Sequence, residues 1–219
     1  MAVFAVTASS ALPSQRRVSC SPNVANPRLS VKRFCIILCQ MGLFGTTEIA
    51  PYEVVQEWKD ENVQLRQYPA QTWVCTKVIT SKMDDMSSSA FFKLFNYTRG
   101  DNVENRKFAM TKPVTIESKP NPDSALTRIF TMGFYLPGDA SPSPKAADVF
   151  IEHRPQMNVY CCVYPGFSND QRLMEEARKL AQSLDNLNQS YNNESFYFAG
   201  YDAPLRLFNR RNEIWFPAA

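Results

Sequence analysis

"VQLRQYPAQTWVCTKV", residues 63–78, and "VFIEHRPQMNVYCCVY", residues 149–164, are two versions of one pattern. At a constant offset of 86, Pro69 meets Pro155, Cys75 meets Cys161, Val63 meets Val149 and Val78 meets Tyr164. In the first copy Val63, Leu65 and Gln67 point one way and Gln64, Arg66 and Tyr68 the other, the alternation of a half-buried strand. Pro69 ends that strand. "TWVCTKVI" (72–79), rich in β-branched and aromatic residues, gives a second strand, and the short Pro-Ala-Gln link predicts that the two form an antiparallel hairpin.

Working outward, each predicted hairpin is followed by a helix. "DDMSSSAFFKLFNYTRG" (84–100) has acids at its start, Phe91, Leu94 and Phe95 at helical spacing, and Arg99-Gly100 as a stop. "SNDQRLMEEARKLAQSLDNL" (168–187) opens on Ser168 and Gln171 at capping-box spacing and lines one face with Leu173, Ala177, Leu180, Leu184 and Leu187. Strands are expected at "KFAM" (107–110), "VTIES" (114–118) and "LTRIFTMGFYL" (126–136). In the second copy, "FYFAGYDAPL" (196–205) carries Phe198-Ala199 and Pro204, which echo Phe108-Ala109 and Pro113 with one residue inserted. A proline-rich loop, "PGDASPSPKAA" (137–147), separates the copies. The chain therefore reads as an α+β protein made of two β-β-α-β-β halves, about 52–136 and 147–217. A sheet with one helix leaves a face uncovered, so the halves should close on each other as one domain, residues 41–219.

Among 219 residues, 44% are apolar, which suits a packed core. Residues 1–40 hold five of the 24 basic residues and no acid, leaving 19 basic against 21 acidic residues from Met41 onward. The body is near neutral and lacks the basic stripe of a nucleic-acid binder. The leader, rich in Ser, Ala and Arg, has the composition of an organelle transit peptide, which would send the protein to a mitochondrion or another organelle. Two other readings stand beside it: "FCIILCQMGLF" (34–44) as the apolar part of a secretory signal, or Met41 as the functional start of a cytoplasmic protein. That apolar run is too short to span a bilayer. The six cysteines, at 20, 35, 39, 75, 161 and 162, show neither zinc-site spacing nor disulfide density and read as reduced thiols.

The set "FAMTKPVTI", "DVFIEHRPQMNVYCCVYPGFS" and "YFAGYDAPLRLFNRRNEIW" resembles the SOUL family of heme-binding proteins from about Leu43 to Phe216. The resemblance implies a distorted antiparallel β-barrel of two similar halves, each flanked by a helix, that binds heme (protoporphyrin IX) or related tetrapyrroles in the cytosol without chemistry on the ligand. It places the pocket along the first helix, where Phe91, Phe92, Lys93 and Leu94 lie, and Arg206 matches a basic position suited to a propionate. Some relatives use a histidine in the first hairpin; here that neighbourhood holds Gln67 and Tyr68.

The one histidine, His153, sits between Glu152 and Arg154 near a strand end and reads as an edge residue rather than an iron ligand. Reversible binding without a firm axial ligand is expected, driven by burial of the flat macrocycle at roughly 25 cal/mol per Å² and oriented by charge-assisted contacts to its propionates. Phe91, Leu94 and Phe95 also fit plain core packing. Nothing in the sequence supports an enzyme: there is no Ser-His-Asp or Cys-His set and no Gly-rich phosphate loop. Another class of function is interaction. Some relatives are linked with mitochondrial cell death through a groove-binding helix, and Leu180 and Asp185 have that motif's spacing, although Leu184 replaces its small residue. A general small-ligand sensor is the remaining alternative.

Overall fold

The computed structural model of the chain describes residues 47–203 and 206–219. The leader, residues 1–40, and Pro204 lie outside the described residues. In chain order the elements are β1 (Glu48–Ile49), β2 (Glu53–Trp58), β3 (Val63–Tyr68), β4 (Gln71–Thr80) and a single 3-10 turn (Met83–Met86) leading into α1 (Ser87–Thr98). There follow β5 (Thr111–Lys112), β6 (Val114–Pro120), β7 (Arg128–Leu136), β8 (Val149–Arg154), β9 (Met157–Tyr164), α2 (Asp170–Asn186), β10 (Phe196–Gly200) and β11 (Asn212–Pro217). The repeated element order is present as β3-β4-α1-β6-β7 and β8-β9-α2-β10-β11.

Neither copy of the opening motif folds back as a hairpin. β3 pairs with β9, Val63 opposite Cys162 and Tyr68 opposite Met157, while β4 pairs with β8, Gln71 opposite Arg154 and Thr76 opposite Val149. Both ladders are antiparallel and in one register, so residues 63–76 and 149–162 form a single ribbon, interrupted at Pro69-Ala70 and Pro155-Gln156. The reason is turn chemistry. A two-residue hairpin wants φ > 0 at its central positions, which Pro-Ala and Pro-Gln do not supply. Positive φ is found instead at residues such as Asn62, Asn105, Asn188 and Asn209. Proline also has no N–H for the ladder, so pairing lapses there and resumes beyond it.

The "KFAM" strand is likewise absent. Phe108 stacks on Tyr97 at the end of α1, ring centroids 5.8 Å apart, and its N–H donates to the Thr98 carbonyl. Phe198 pairs with Ile116 across the β6–β10 ladder, so the Phe-Ala echo does not mark equivalent positions.

Nine strands form one sheet in the order β2-β3-β9-β11-β10-β6-β7-β4-β8. β3 and β4 stand six places apart in that order, yet only Pro69 and Ala70 join them. Laid flat, six spacings would cover about 29 Å, whereas the three Cα steps from Tyr68 to Gln71 reach at most ~11 Å. The sheet must curl enough to bring β3 and β4 within that reach, but among the described residues no ladder joins its edge strands β2 and β8, so the expected barrel is an open antiparallel curl carrying two helices.

Burial follows from the curl. On the outer face α1 packs on β4 and β7, and α2 on β9 and β11, over a core that includes Val74, Leu94, Phe134, Cys162, Leu180, Leu184 and Ile214. The 3-10 turn that leads into α1 meets the N-terminus of α2, the Asp170 carboxylate accepting the Met83 N–H at 2.8 Å. The cap of α2 is Asn169 rather than Ser168: its side-chain oxygen accepts the Arg172 N–H at 2.9 Å. Asn caps as well as Ser, and Ser168 is held instead by the Tyr164 hydroxyl at 2.8 Å. The alternate residues of the same strands are buried with no helix above them, among them Tyr68, Cys161, Tyr197, Tyr201 and Trp215, and Trp73 with Cys75. The sheet itself covers them.

Gly133 shows how tight this inner face is. A Cβ there would lie 2.9 Å from Arg154 Nη2 and 3.1 Å from both Cys75 Sγ and Thr115 Oγ1. Gly133→Ala should therefore destabilise the fold by about 1–3 kcal/mol through overpacking, read as a lower urea midpoint at unchanged m-value.

Candidate functional site

Two surfaces compete: the polar inner layer of the curl and the outer face between the helices. In the inner layer both oxygens of Glu213 are saturated. Arg66 Nη1 (3.0 Å), the Tyr201 hydroxyl (2.9 Å) and Trp215 Nε1 (2.8 Å) donate to Oε2, and Arg211 Nη2 (2.6 Å) and Nε (2.9 Å) donate to Oε1. Arg66 gives its remaining donors to Gln64 Oε1 and lies 4.3 Å from the Tyr52 ring centre. A second buried guanidinium, Arg154, donates to Glu152 at 2.7 Å and sits over Trp73 at 4.3 Å and Tyr197 at 5.3 Å. Tyr197 in turn donates to Glu117 at 2.6 Å.

This layer has no reactive member. Burial pushes the thiols of Cys75 and Cys161 in this layer upward, and that of Cys162 on the helix-covered face to about 12, so none is a thiolate at neutral pH. Burial also raises Tyr68, with the Glu213 charge adding to it, which opposes ligation of iron as a tyrosinate. His153 is exposed, its Nδ1 3.1 Å from Thr72 Oγ1. Among the described residues no group of three His, Cys, Asp or Glu side chains converges on a metal-sized site. A half-open cleft of about 300 Å³ lies at the ribbon break, lined by Pro51, Tyr52, Glu53, Gln67, Pro69 and Gln156. Its one charged side chain is an acid, which is unsuited to a dianionic porphyrin.

The outer face offers different chemistry. At about 100° per residue, Phe91, Phe95 and Phe92 fall on one flank of α1, with Ala90 and Leu94 beneath and Lys93 and Tyr97 on the opposite flank. Contacts bear this out. Phe91 meets Phe134 of β7 at 5.2 Å, while Lys93 pairs with Asp148 just before β8 and the Tyr97 hydroxyl donates to the Pro142 carbonyl. The Lys93 ammonium holds the Asp148 carboxyl below its usual range.

Phe134, Val114 and Gly200 stand on one rung of β7, β6 and β10, so loop 201–211 leaves the sheet roughly 10 Å from the strand under Phe91. The floor between is apolar and partly exposed, with Phe91, Val114 and Phe198 packed on the main core. Gly200 adds no side chain to it; a Cβ there would meet only the Phe198 ring, at 3.3–3.4 Å, and the Val114 carbonyl at 4.0 Å. Arg206, exposed in the loop, pairs with Asp202 at 2.6 Å.

Phe91 and Phe92 thus lie side by side, ring centroids 6.0 Å apart, whereas Lys93 turns to the other flank, Leu94 is completely buried, and Arg206 pairs within the loop after β10. Val114, Phe198 and Gly200 are additions that sequence reading missed, because nothing in a strand's alternation says which rungs a helix leaves bare. Leu180 is 1% exposed, on the face of α2 that packs against the sheet, whereas Asp185 is exposed and accepts from the Tyr191 hydroxyl at 3.2 Å.

Residues 47–217 match the family model described as SOUL heme-binding protein. The chain belongs to the SOUL family. Among curated SOUL relatives, human heme-binding protein 2 is 34% identical over 155 residues, covering 69% of this chain and 76% of its own. Mouse heme-binding protein 1 is 28% identical over 178 residues, covering 79% of this chain and 94% of its own. Two solved structures share the fold at lower identity. The EcmrR C-terminal domain has a TM-score of 0.51 at 12% identity, covering 77% of this chain and 98% of that one. An uncharacterized conserved protein from Listeria innocua has a TM-score of 0.53 at 9% identity, covering 73% and 93%.

Two expectations test the buried polar and thiol groups. Glu213→Gln, which leaves the buried Arg66 without its counter-charge, should cost about 3–5 kcal/mol in urea unfolding. The thiols give the second. A group whose pKa is raised on folding binds its proton more tightly in the native state, so its stabilisation is complete below the unfolded value, 9.0 for Cys162, and is lost as pH rises toward about 12. Native protein at pH 8 should leave Cys75, Cys161 and Cys162 unalkylated by iodoacetamide in peptide mass spectrometry, and urea should expose all three.

Proposed function

We propose that this protein binds heme or a related tetrapyrrole reversibly and non-enzymatically, on the outer face between α1 and loop 201–211. Membership of the SOUL family over residues 47–217 carries the reading. The local chemistry fits. Phe91, Phe92, Val114 and Phe198 offer apolar contact to the macrocycle, bare Gly200 lets a flat ring approach the backbone, and Arg206, exposed in the loop that follows Gly200, supplies a guanidinium that can exchange Asp202 for a propionate. No described histidine or thiolate faces this floor, so the chain's own contribution is apolar burial and charge-assisted orientation rather than an iron bond. Lys93, turned toward Asp148, is the weaker propionate partner. Presenting Leu180 to a partner's groove would require α2 to leave its sheet, so the interaction reading ranks second.

Titration of the full chain should give saturable Soret changes with hemin and with iron-free protoporphyrin at affinities within about tenfold of each other. Arg206→Glu should weaken both by about tenfold or more, with Lys93→Glu a smaller change. Absence of a saturable change with either ligand would refute the proposal, and a response to hemin alone would replace apolar burial with iron ligation.

A further inference from the structure

The loop between β10 and β11 exposes two large apolar side chains in succession. Phe208 is 80% exposed and Leu207 64%, and Phe167 of the β9–α2 connection is 59% exposed. These three are linked through guanidinium groups: Arg210 lies 4.6 Å over the Phe167 ring and donates to the Arg206 carbonyl at 2.9 Å, and Arg206 Nε donates to the Phe208 carbonyl at 3.1 Å. Leu126 is 86% exposed too, but it stands alone in a loop whose one charge is Asp123, the ordinary scatter of surface apolar residues.

The tip is held in its exposed form. The Asp202 carboxylate accepts the Arg211 backbone N–H and Arg206 Nη1, each at 2.6 Å, Arg210 Nη1 donates to the Ala203 carbonyl at 2.8 Å, and Asn209 takes φ 51°. A slack loop would fold Leu207 and Phe208 back onto the protein; this one is braced by polar contacts on the protein side. Asp202 is buried at 4% of its side chain, so two guanidiniums, those of Arg206 and Arg210, flank the apolar tip with one acid facing inward, while the Arg211 guanidinium turns to Glu213.

We propose that Leu207 and Phe208, with Phe167 beside them, insert into the headgroup region of an anionic phospholipid bilayer while Arg206 and Arg210 contact lipid phosphates. Convex apolar side chains in a basic collar suit an interfacial surface. A stable protein interface needs about 800 Å² from each partner, more than a tip of three side chains provides. The inference shares Arg206 with the tetrapyrrole reading but needs no tetrapyrrole and concerns the ligand-free protein.

Full-length protein should co-sediment with phosphatidylcholine vesicles containing roughly 30% phosphatidylserine, poorly with phosphatidylcholine alone, and less as salt rises. The double variant Leu207→Ser/Phe208→Ser, altered only at exposed side chains, should lose at least about tenfold in vesicle affinity. As a separate readout, a Phe208→Trp variant should shift to the blue on anionic vesicles and be quenched by brominated acyl chains. Any of three results would overturn the proposal: no association with anionic vesicles, association undiminished in the double variant, or no quenching. Binding to polyglutamate that equals vesicle binding and ignores the double substitution would assign the surface to acidic proteins instead.

Discussion

Two residues, Pro69 and Ala70, join strands that stand six places apart in the sheet, and everything else follows from that short tether. A flat sheet cannot satisfy it. The curl it imposes gives each strand a concave side that water does not reach, which is why Trp73, Trp215, Arg66 and Tyr68 are fully buried with no helix above them. The helices are left for the convex side, where α1 covers β4 and β7 and α2 covers β9 and β11, with β6 and β10 between them.

Putting two guanidiniums inside such a curl has a clear electrostatic logic. A buried charge is tolerable only when its partner and its remaining hydrogen bonds are also supplied. Glu213 meets that condition with five donors from four side chains. Such a network stabilises less than apolar packing of equal volume would, but it fixes strand register: a slip by one residue would turn Arg66 or Glu213 to the other face and strand both charges. The polar interior is therefore a device for alignment.

The sequence showed the element order, the two helices and the duplication, because those rest on periodicity and on aligned Pro and Cys residues. It misassigned the pairing partners. Alternation places Val63 and Gln64 on opposite faces but is silent on whether residue 63 faces 78 or 162; only the missing turn residues at Pro69-Ala70 hinted at the answer. "KFAM" failed for a related reason, since an apolar run of four fits packing against a helix end as well as a strand. At the candidate site, the aromatic α1 was legible while its two flanks were not separable by composition, so Phe91 and Lys93 were grouped although they face different strands.

The single ribbon made by the two copies has a consequence for assembly and descent. In each half the edge of the ribbon finds its complement in the other half, and the two complements are versions of the same sixteen-residue pattern. A half-length chain would thus carry an edge that matches a second copy of itself, related by a two-fold axis through the prolines. That is the geometry of an isologous dimer. Fusing two such subunits in one chain turns a concentration-dependent association into an intramolecular one. It also leaves open the reverse exchange, in which two full chains trade halves across loop 137–147.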